Sequence, residues 1–325
     1  MLCRHLSLRL PPGSQRRETR RFVPSIFPES IRSRPMTAIV WFRRDLRLGD
    51  NPAWSAATRS DERVLPVFVI DPDLWRRASA RRQALLAGNL RALDASLAEE
   101  GGRLHVAIGR PVSVLPDLVD KARATAVHWN ADYTPYARRR DATIASAVPS
   151  IAHHGQVIHP PGSILTNEGT RYRVFTPFHR KWSERPIPQT PRAATATIAS
   201  DPGEGLPETA EPPLLPGETA ALNRLDEFDA RVDEYISQRD RPDLDTTSRL
   251  SIDLKWGTIG PRTIIDRLGT HTAGRAAFVR QLAWRDFYSD LLDATPESVD
   301  EALRPEYRSI EWEDDQAGLE AWKVG

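Results

Sequence analysis

The chain has 325 residues, enough for two domains, and its 40% hydrophobic and 27% charged content is that of a soluble globular protein. No apolar run approaches the ~20 residues of a membrane span, and the single cysteine, Cys3, excludes a disulfide framework and a Cys-x-x-Cys metal site, so a reducing, cytoplasmic setting is expected. Lys and Arg total 45 against 44 Asp and Glu, yet residues 1–35 hold eight Arg and two Glu, so the remainder is slightly acidic and any nucleic-acid contact must come from a local patch.

Residues 1–35 are Arg-rich, interrupted by prolines and without sustained periodicity, and residues 1–36 are expected to be a disordered extension. Met36 opens the first strand-like run and is read as the true start, which the intact mass of the native protein tests. From there strand and helix alternate. Residues 38–42, 64–70, 104–108 and 126–129 are short apolar runs of the kind that strands covered on both faces require, and Val157 and Ile158 are read as a fifth strand. Between them lie helical stretches at 81–100 (Leu86, Leu90, Leu93 and Leu97 on one stripe), 111–124 and 136–152. The pattern predicts an α/β domain over residues 37–165, a doubly wound parallel five-stranded sheet with right-handed crossovers.

Ligands of such sheets bind beyond the C-terminal strand ends. The loop there, residues 43–51, has no Gly-x-Gly-x-x-Gly, and by its residues alone it is a solvated charged loop. Residues 169–182 read as a packing helix with snorkelling Arg and Lys. Residues 183–216 hold eight prolines, so a connector with a Pro-rich linker is expected over 166–218. The eight His are scattered, and His153 with His154 has no third ligand at metal spacing, so no metal site is expected.

From residue 219 the pattern is helical. Leu222, Leu225, Phe228, Val232, Tyr235 and Ile236 make one stripe, and helices are expected at 217–237, 248–257, 261–267 and 275–292. In the last, Val279, Ala283, Phe287 and Leu291 recur every four residues, with Leu282 beside them. Gln281, Trp284, Arg285 and Tyr288 share the neighbouring face, where two rings, a guanidinium and a carboxamide either stack on planar groups and bond their edges or are core side chains with paired polar tips. Three hydroxyls, Thr247, Ser248 and Ser251, precede an apolar helical run; they suit an ordinary N-cap or a phosphate site.

These stretches resemble the DNA photolyase/cryptochrome family. Its flavin region carries Tyr-x-x-x-Arg, Thr-Ser-x-Leu-Ser and Glu-Leu-x-Trp-Arg-Glu-Phe-Tyr, matched in order by Tyr235 and Arg239, by residues 247–251 and by residues 281–288. The family's opening, Trp-Phe-Arg-Arg-Asp-Leu-Arg-Leu-x-Asp-Asn, is matched throughout by residues 41–51. Trp129, Asn130, Tyr133 and Pro135 with Arg140 and Asp141, and Tyr172 to Phe178, resemble two further family elements.

The resemblance implies light-dependent repair of cyclobutane pyrimidine dimers in DNA by electron transfer from reduced FAD, with the flavin and not a side chain carrying the chemistry. A cryptochrome-type blue-light photoreceptor without repair activity, and a non-catalytic remnant in which only the α/β domain folds, are the alternatives. It implies that Tyr235, Thr247, Ser248, Arg249, Leu250, Ser251 and Phe278 bind FAD. Arg239, Gln281, Trp284, Arg285 and Tyr288 would meet UV-damaged DNA, Trp284 stacking on the flipped dimer. The α/β domain would hold an antenna chromophore of deazaflavin or folate type, or none; Tyr136 and Ala137 stand near where folate-type members have Asn and Glu. The protein is expected to be a monomer. Gln281 replaces a usual Glu, Gly260 a common Ser, and Ile252 and Asp253 a Pro-Tyr pair, departures that bear on dimer selectivity more than on flavin binding. The resemblance covers residues 37–325, about two thirds of a full photolyase, so the all-α FAD-binding domain over 219–325 is expected to be C-terminally truncated and poorly stable alone.

Overall fold

The computed structural model describes residues 36–60, 63–311 and 313–325; the extension expected at residues 1–35 lies outside the described residues. Six strands among them form one sheet: β1 (Thr37–Phe42), β2 (Arg63–Ile70), β3 (His105–Ile108), β4 (Ala124–Asn130), β5 (Ser150–His153) and β6 (Thr197–Ile198). The order is β3-β2-β1-β4-β5, every pairing is parallel, and β6 lies beside the start of β2. Around it run α1 (Pro52–Ser60), α2 (Pro72–Arg77), α3 (Ala80–Glu99), α4 (Pro111–Ala122) and α5 (Pro135–Ala147).

All of β1 is buried, and its side chains alternate between two cores. Ala38, Val40 and Phe42 join Leu90, Leu93 and Leu97 of α3, while Ile39 and Trp41 join Leu115, Val119 and Ile144 from α4 and α5. Burial on both faces is why the strand reads as an unbroken apolar run.

Three expectations are corrected. The fifth strand is Ser150–His153 and not Val157 with Ile158; the helix expected at 136–152 stops at Ala147 because Pro149 cannot continue it, and the next residues pair with β4. Val157 and Ile158 are buried, but Ile158 belongs to the helical core. The Pro-rich stretch supplies β6, whose Ile198 packs into the sheet core.

The second half consists of α6 (Phe175–Glu184), α7 (Glu218–Asp229), α8 (Tyr235–Gln238), α9 (Ser251–Trp256), α10 (Pro261–Leu268), α11 (Ala273–Ala294) and α12 (Gln316–Val324). Their core gathers Phe178, Trp182, Leu225, Phe228, Ile264 and Leu282, and it reaches back to Ile158 and Ile164. No helix among the described residues is long and apolar enough to cross a membrane, and no group of three or more His, Cys, Asp or Glu is placed to hold a metal ion.

The loop after β1 departs most from its local reading. It is buried: Asp45, Arg47, Asp50 and Asn51 are all under 4% exposed. Arg47 donates from Nη1 to the Gly257 carbonyl (2.9 Å) and from Nη2 to those of Gly155 (2.9 Å) and Asp50 (2.6 Å). Asn130 donates to Asp45 (2.6 Å) and Asn51 (2.7 Å), and Arg262 of α10 donates to Asp50 (2.7 Å). The loop is therefore a polar clasp between the sheet's C-terminal edge and α9–α10. It also accounts for Gly260: a Cβ there would lie 1.9 Å from Asp50 Oδ2. Gly260→Ser is expected to cost roughly 1–3 kcal/mol through overpacking, measured as a lowered urea midpoint.

Candidate functional site

The 22-residue α11 starts at Thr272, whose hydroxyl accepts from Arg275 N (3.3 Å). Its inner face carries Phe278, Val279, Leu282, Ala283 and Phe287 into the core, as the four-residue spacing predicts, and two buried carboxylates with them. Asp286 accepts from Ile158 N (3.1 Å), His159 N (2.9 Å) and Trp182 Nε1 (2.8 Å). Asp290 accepts from Gly162 N (2.6 Å) and Arg171 Nη1 (2.5 Å), and Asp293 at the helix end pairs with Arg171 and Arg138. These bonds fix the 158–171 segment along α11.

The outer face brings Gln281, Trp284, Arg285 and Tyr288 together as expected, between two grooves. One, of about 460 Å³, has these four on one wall and Arg44, Asp132, Tyr133 and Gln156 opposite. The other, of about 830 Å³, runs between Tyr235, Arg239, Arg280 and His179. Gln281 and Trp284 line both, so they form the ridge between them. Trp284 is half-buried, with its ring stacked on Phe175 (centroids 3.5 Å apart, 9° between planes) and beside Tyr288 (5.5 Å, 22°).

The smaller groove is cationic. Arg285 donates from Nε to the Gln156 carbonyl (3.0 Å) and from Nη2 to that of Leu254 (3.2 Å), and burial lowers its pKa. Lys255 nearby is also lowered, first by the charge of Arg44. Crowded like charges with Asp132 as counter-ion to Arg44 (3.3 Å) favour an anionic ligand. Gln156 lines this groove, and its buried Nε2 has no hydrogen-bond partner among the described residues.

The expected flavin ligands, and Arg239 of the expected DNA set, sit differently. Tyr235 is half-buried, edge-on to Phe278 (5.2 Å) and Phe228 (5.9 Å), and Arg239 is exposed one helical turn on. Phe278 is 6% exposed beneath Tyr235 and lines neither groove. The hydroxyl segment also lies outside both. Thr247 is exposed, with its carbonyl accepting from Arg231 (3.4 Å), and Ser248 Oγ accepts from Leu250 N (3.3 Å). Arg249 is left-handed (φ 54°) and paired with Asp245, Leu250 is core, and Ser251 is exposed. The helix expected at 248–257 is thus only Ser251–Trp256, and no side chain caps it, because the turn at Arg249 directs Ser248 to its own loop.

A further pocket, of about 520 Å³, lies where sheet, α3 and α9 meet. Trp41, Ile70, Trp75, Leu86 and Trp256 give it an apolar wall, and Arg43, Arg44, Arg82, Arg140 and Lys255 outnumber Asp71 and Asp132 around it. Arg43 and Arg140 each stand 4.6 Å from the Trp41 ring. Trp41, Tyr136, Ala137 and Arg140, which the family resemblance singles out, line it; the contributions of Trp75, Leu86, Lys255 and Trp256 are not legible in the sequence, because they come from segments far apart in the chain.

Two family models match the chain: DNA photolyase over residues 38–195 and the FAD binding domain of DNA photolyase over residues 278–325. The deoxyribodipyrimidine photo-lyase of Halobacterium salinarum is 36% identical over 327 residues, covering 88% of this chain and 68% of the relative. The chain belongs to the DNA photolyase family. A bacterial class III photolyase from Agrobacterium tumefaciens superposes with a TM-score of 0.78 at 31% identity, covering 90% of this chain and 67% of that one. An archaeal photolyase from Sulfolobus tokodaii, solved with two FAD molecules, superposes with a TM-score of 0.76 at 28% identity, covering 89% and 67%. The chain therefore spans about two thirds of the length of these photolyases.

His153 on β5, and His159 and Asp286 along α11, are expected to make the stability of the chain pH-dependent. Burial lowers His153 and His159 to about 4 and raises Asp286 to about 6. The two imidazoles lose stability as pH falls from ~6.5 towards 4, since the unfolded chain then binds the extra protons. Asp286 acts oppositely: its contribution is complete below ~3.9 and is lost as pH rises through about 6. Two groups outweigh one, so the urea midpoint is expected to fall between pH 7 and pH 4.5, and His159→Gln is expected to flatten that slope.

Proposed function

We propose that this photolyase binds DNA carrying a cyclobutane pyrimidine dimer along the α11 ridge and takes part in its light-dependent repair with FAD as cofactor. The observation that carries this reading is the ridge itself: Trp284 and Gln281 stand between two grooves whose walls present Arg239, Arg280, Arg44 and Arg285. An aromatic face serves a flipped base, the carboxamide can bond a pyrimidine edge, and guanidiniums on both sides suit the phosphates of one strand. FAD, when bound, supplies the light-driven electron that opens the dimer. This chain's residues do the rest: Tyr235 flanks the larger groove as its flavin side, Arg239 meets the DNA backbone, Gln281 orients the lesion and Trp284 stacks on it. Residues 247–251 offer hydroxyls and backbone N–H groups to the cofactor's phosphates from outside the grooves, and Phe278 supports Tyr235 from the core.

The pocket beside Trp41 is proposed as the antenna site. Its apolar wall and surrounding cations suit a planar chromophore with an anionic tail, of deazaflavin type. The folate type is disfavoured: Tyr136 donates to Asp71 (3.2 Å), Ala137 is buried, and the adjoining Arg138 is held by Asp293 (2.7 Å). Trp284→Ala is expected to weaken binding to a dimer-containing duplex by roughly 1–3 kcal/mol, the stacking range, read by gel shift against undamaged DNA. The repair reading itself is tested by counting dimers before and after blue light with the FAD-reconstituted protein. Loss in light and not in the dark supports it. Flavin binding without dimer loss favours a blue-light receptor instead.

A further inference from the structure

Trp284 stands on the lesion ridge, yet what fixes its ring lies in another element. Phe175, the first residue of α6, is 5% exposed and lines neither groove. Its ring lies flat against the indole at 3.5 Å and 9°, so it covers one face of Trp284. Phe287 packs edge-on to both rings, 5.7 Å from each, and the Arg280 guanidinium stands 5.3 Å from the Phe175 ring. Phe175 is itself delivered by the segment before it, which Asp286 and Asp290 hold to α11 through Ile158, His159, Gly162 and Arg171. The indole is thus clamped from behind by a chain of contacts anchored on the buried face of its own helix.

We propose that Phe175 is a positioning residue for lesion recognition: it holds the Trp284 ring, which also stacks beside Tyr288 (5.5 Å, 22°), in one orientation on the ridge, so selectivity depends on a side chain that lines neither groove. This rests on the lesion-binding reading of Trp284. A flat ring at this place preorganises the platform, and an aliphatic side chain of similar bulk fills the space without fixing the angle.

The test uses the full chain and two duplexes, one with a single thymine cyclobutane dimer and one undamaged. Phe175→Leu is expected to weaken dimer binding about three- to tenfold, the aromatic-pair range converted to affinity, and to leave undamaged binding unchanged. Phe175→Tyr, which keeps the ring, is expected to retain selectivity. Phe175→Leu combined with Trp284→Ala is expected to bind no more weakly than Trp284→Ala alone, because both remove the same platform. Equal weakening on both duplexes, or additive losses, would overturn the proposal. Acrylamide quenching reports on the ring without DNA, through the difference between each protein and its Trp284→Phe counterpart. That difference is expected to grow in Phe175→Leu and not in Phe175→Tyr. Unchanged quenching overturns the positioning role even where dimer binding holds. A wild-type protein that does not prefer the dimer overturns the lesion reading, and the proposal with it.

Discussion

Arg262→Leu is expected to cost about 3–5 kcal/mol, the range for breaking one side of a buried ion pair. The side chains of Asp50 and Arg262 are 0% and 4% exposed, with Nε 2.7 Å from the carboxylate. Removing the guanidinium leaves Asp50 with Thr263 N (3.4 Å) and Oγ1 (3.3 Å), both long, and frees the His154 carbonyl that Nη1 had satisfied. Asp50 is left-handed (φ 45°), a conformation asparagine tolerates, so Asp50→Asn removes the charge without straining the backbone. The double variant is expected to recover part of the loss, because a buried charge without its partner costs more than a neutral amide. A lowered urea midpoint with an unchanged slope would report stability alone.

Asp286→Ala is expected to cost about 3 kcal/mol or more. Three donors lose their acceptor at once, each costing roughly 1–3 kcal/mol when buried and unpaired, and one is the Trp182 indole in the helical core. Relief of the buried charge offsets part of this, since burial raises the carboxyl to about 6. The sign gives a second check. Wild type loses the Asp286 contribution as pH rises through about 6, whereas asparagine does not titrate, so the cost of Asp286→Asn is expected to be smaller at pH 7.5 than at pH 4.5. A cost that is flat with pH would show that the carboxyl is not shifted.

Much of the architecture was legible because it is local. The sheet strands announce themselves by apolar runs, and α11 by its spacing, which puts Gln281, Trp284, Arg285 and Tyr288 on one face. What stayed hidden is the pairing of distant segments. Residues 43–51 look solvated because their partners, Gly155, Gly257 and Arg262, lie more than a hundred positions away. The β5 edge strand is weakly signalled because its Ile151 is exposed, whereas Val157 and Ile158 are both buried and Ile158 serves the helical core. Thr247, Ser248 and Ser251 look like a helix cap until the left-handed Arg249 turns them aside. Phe175 belongs to the family-like stretch Tyr172 to Phe178, but only the fold sets it under Trp284.

These helices are proposed to build a flavin and lesion site. The most direct test is the visible absorption spectrum of the purified 325-residue chain after reconstitution with FAD and removal of unbound cofactor. A flavin band near one equivalent per chain is predicted. A spectrum without that band, from protein that is folded by circular dichroism, would contradict it.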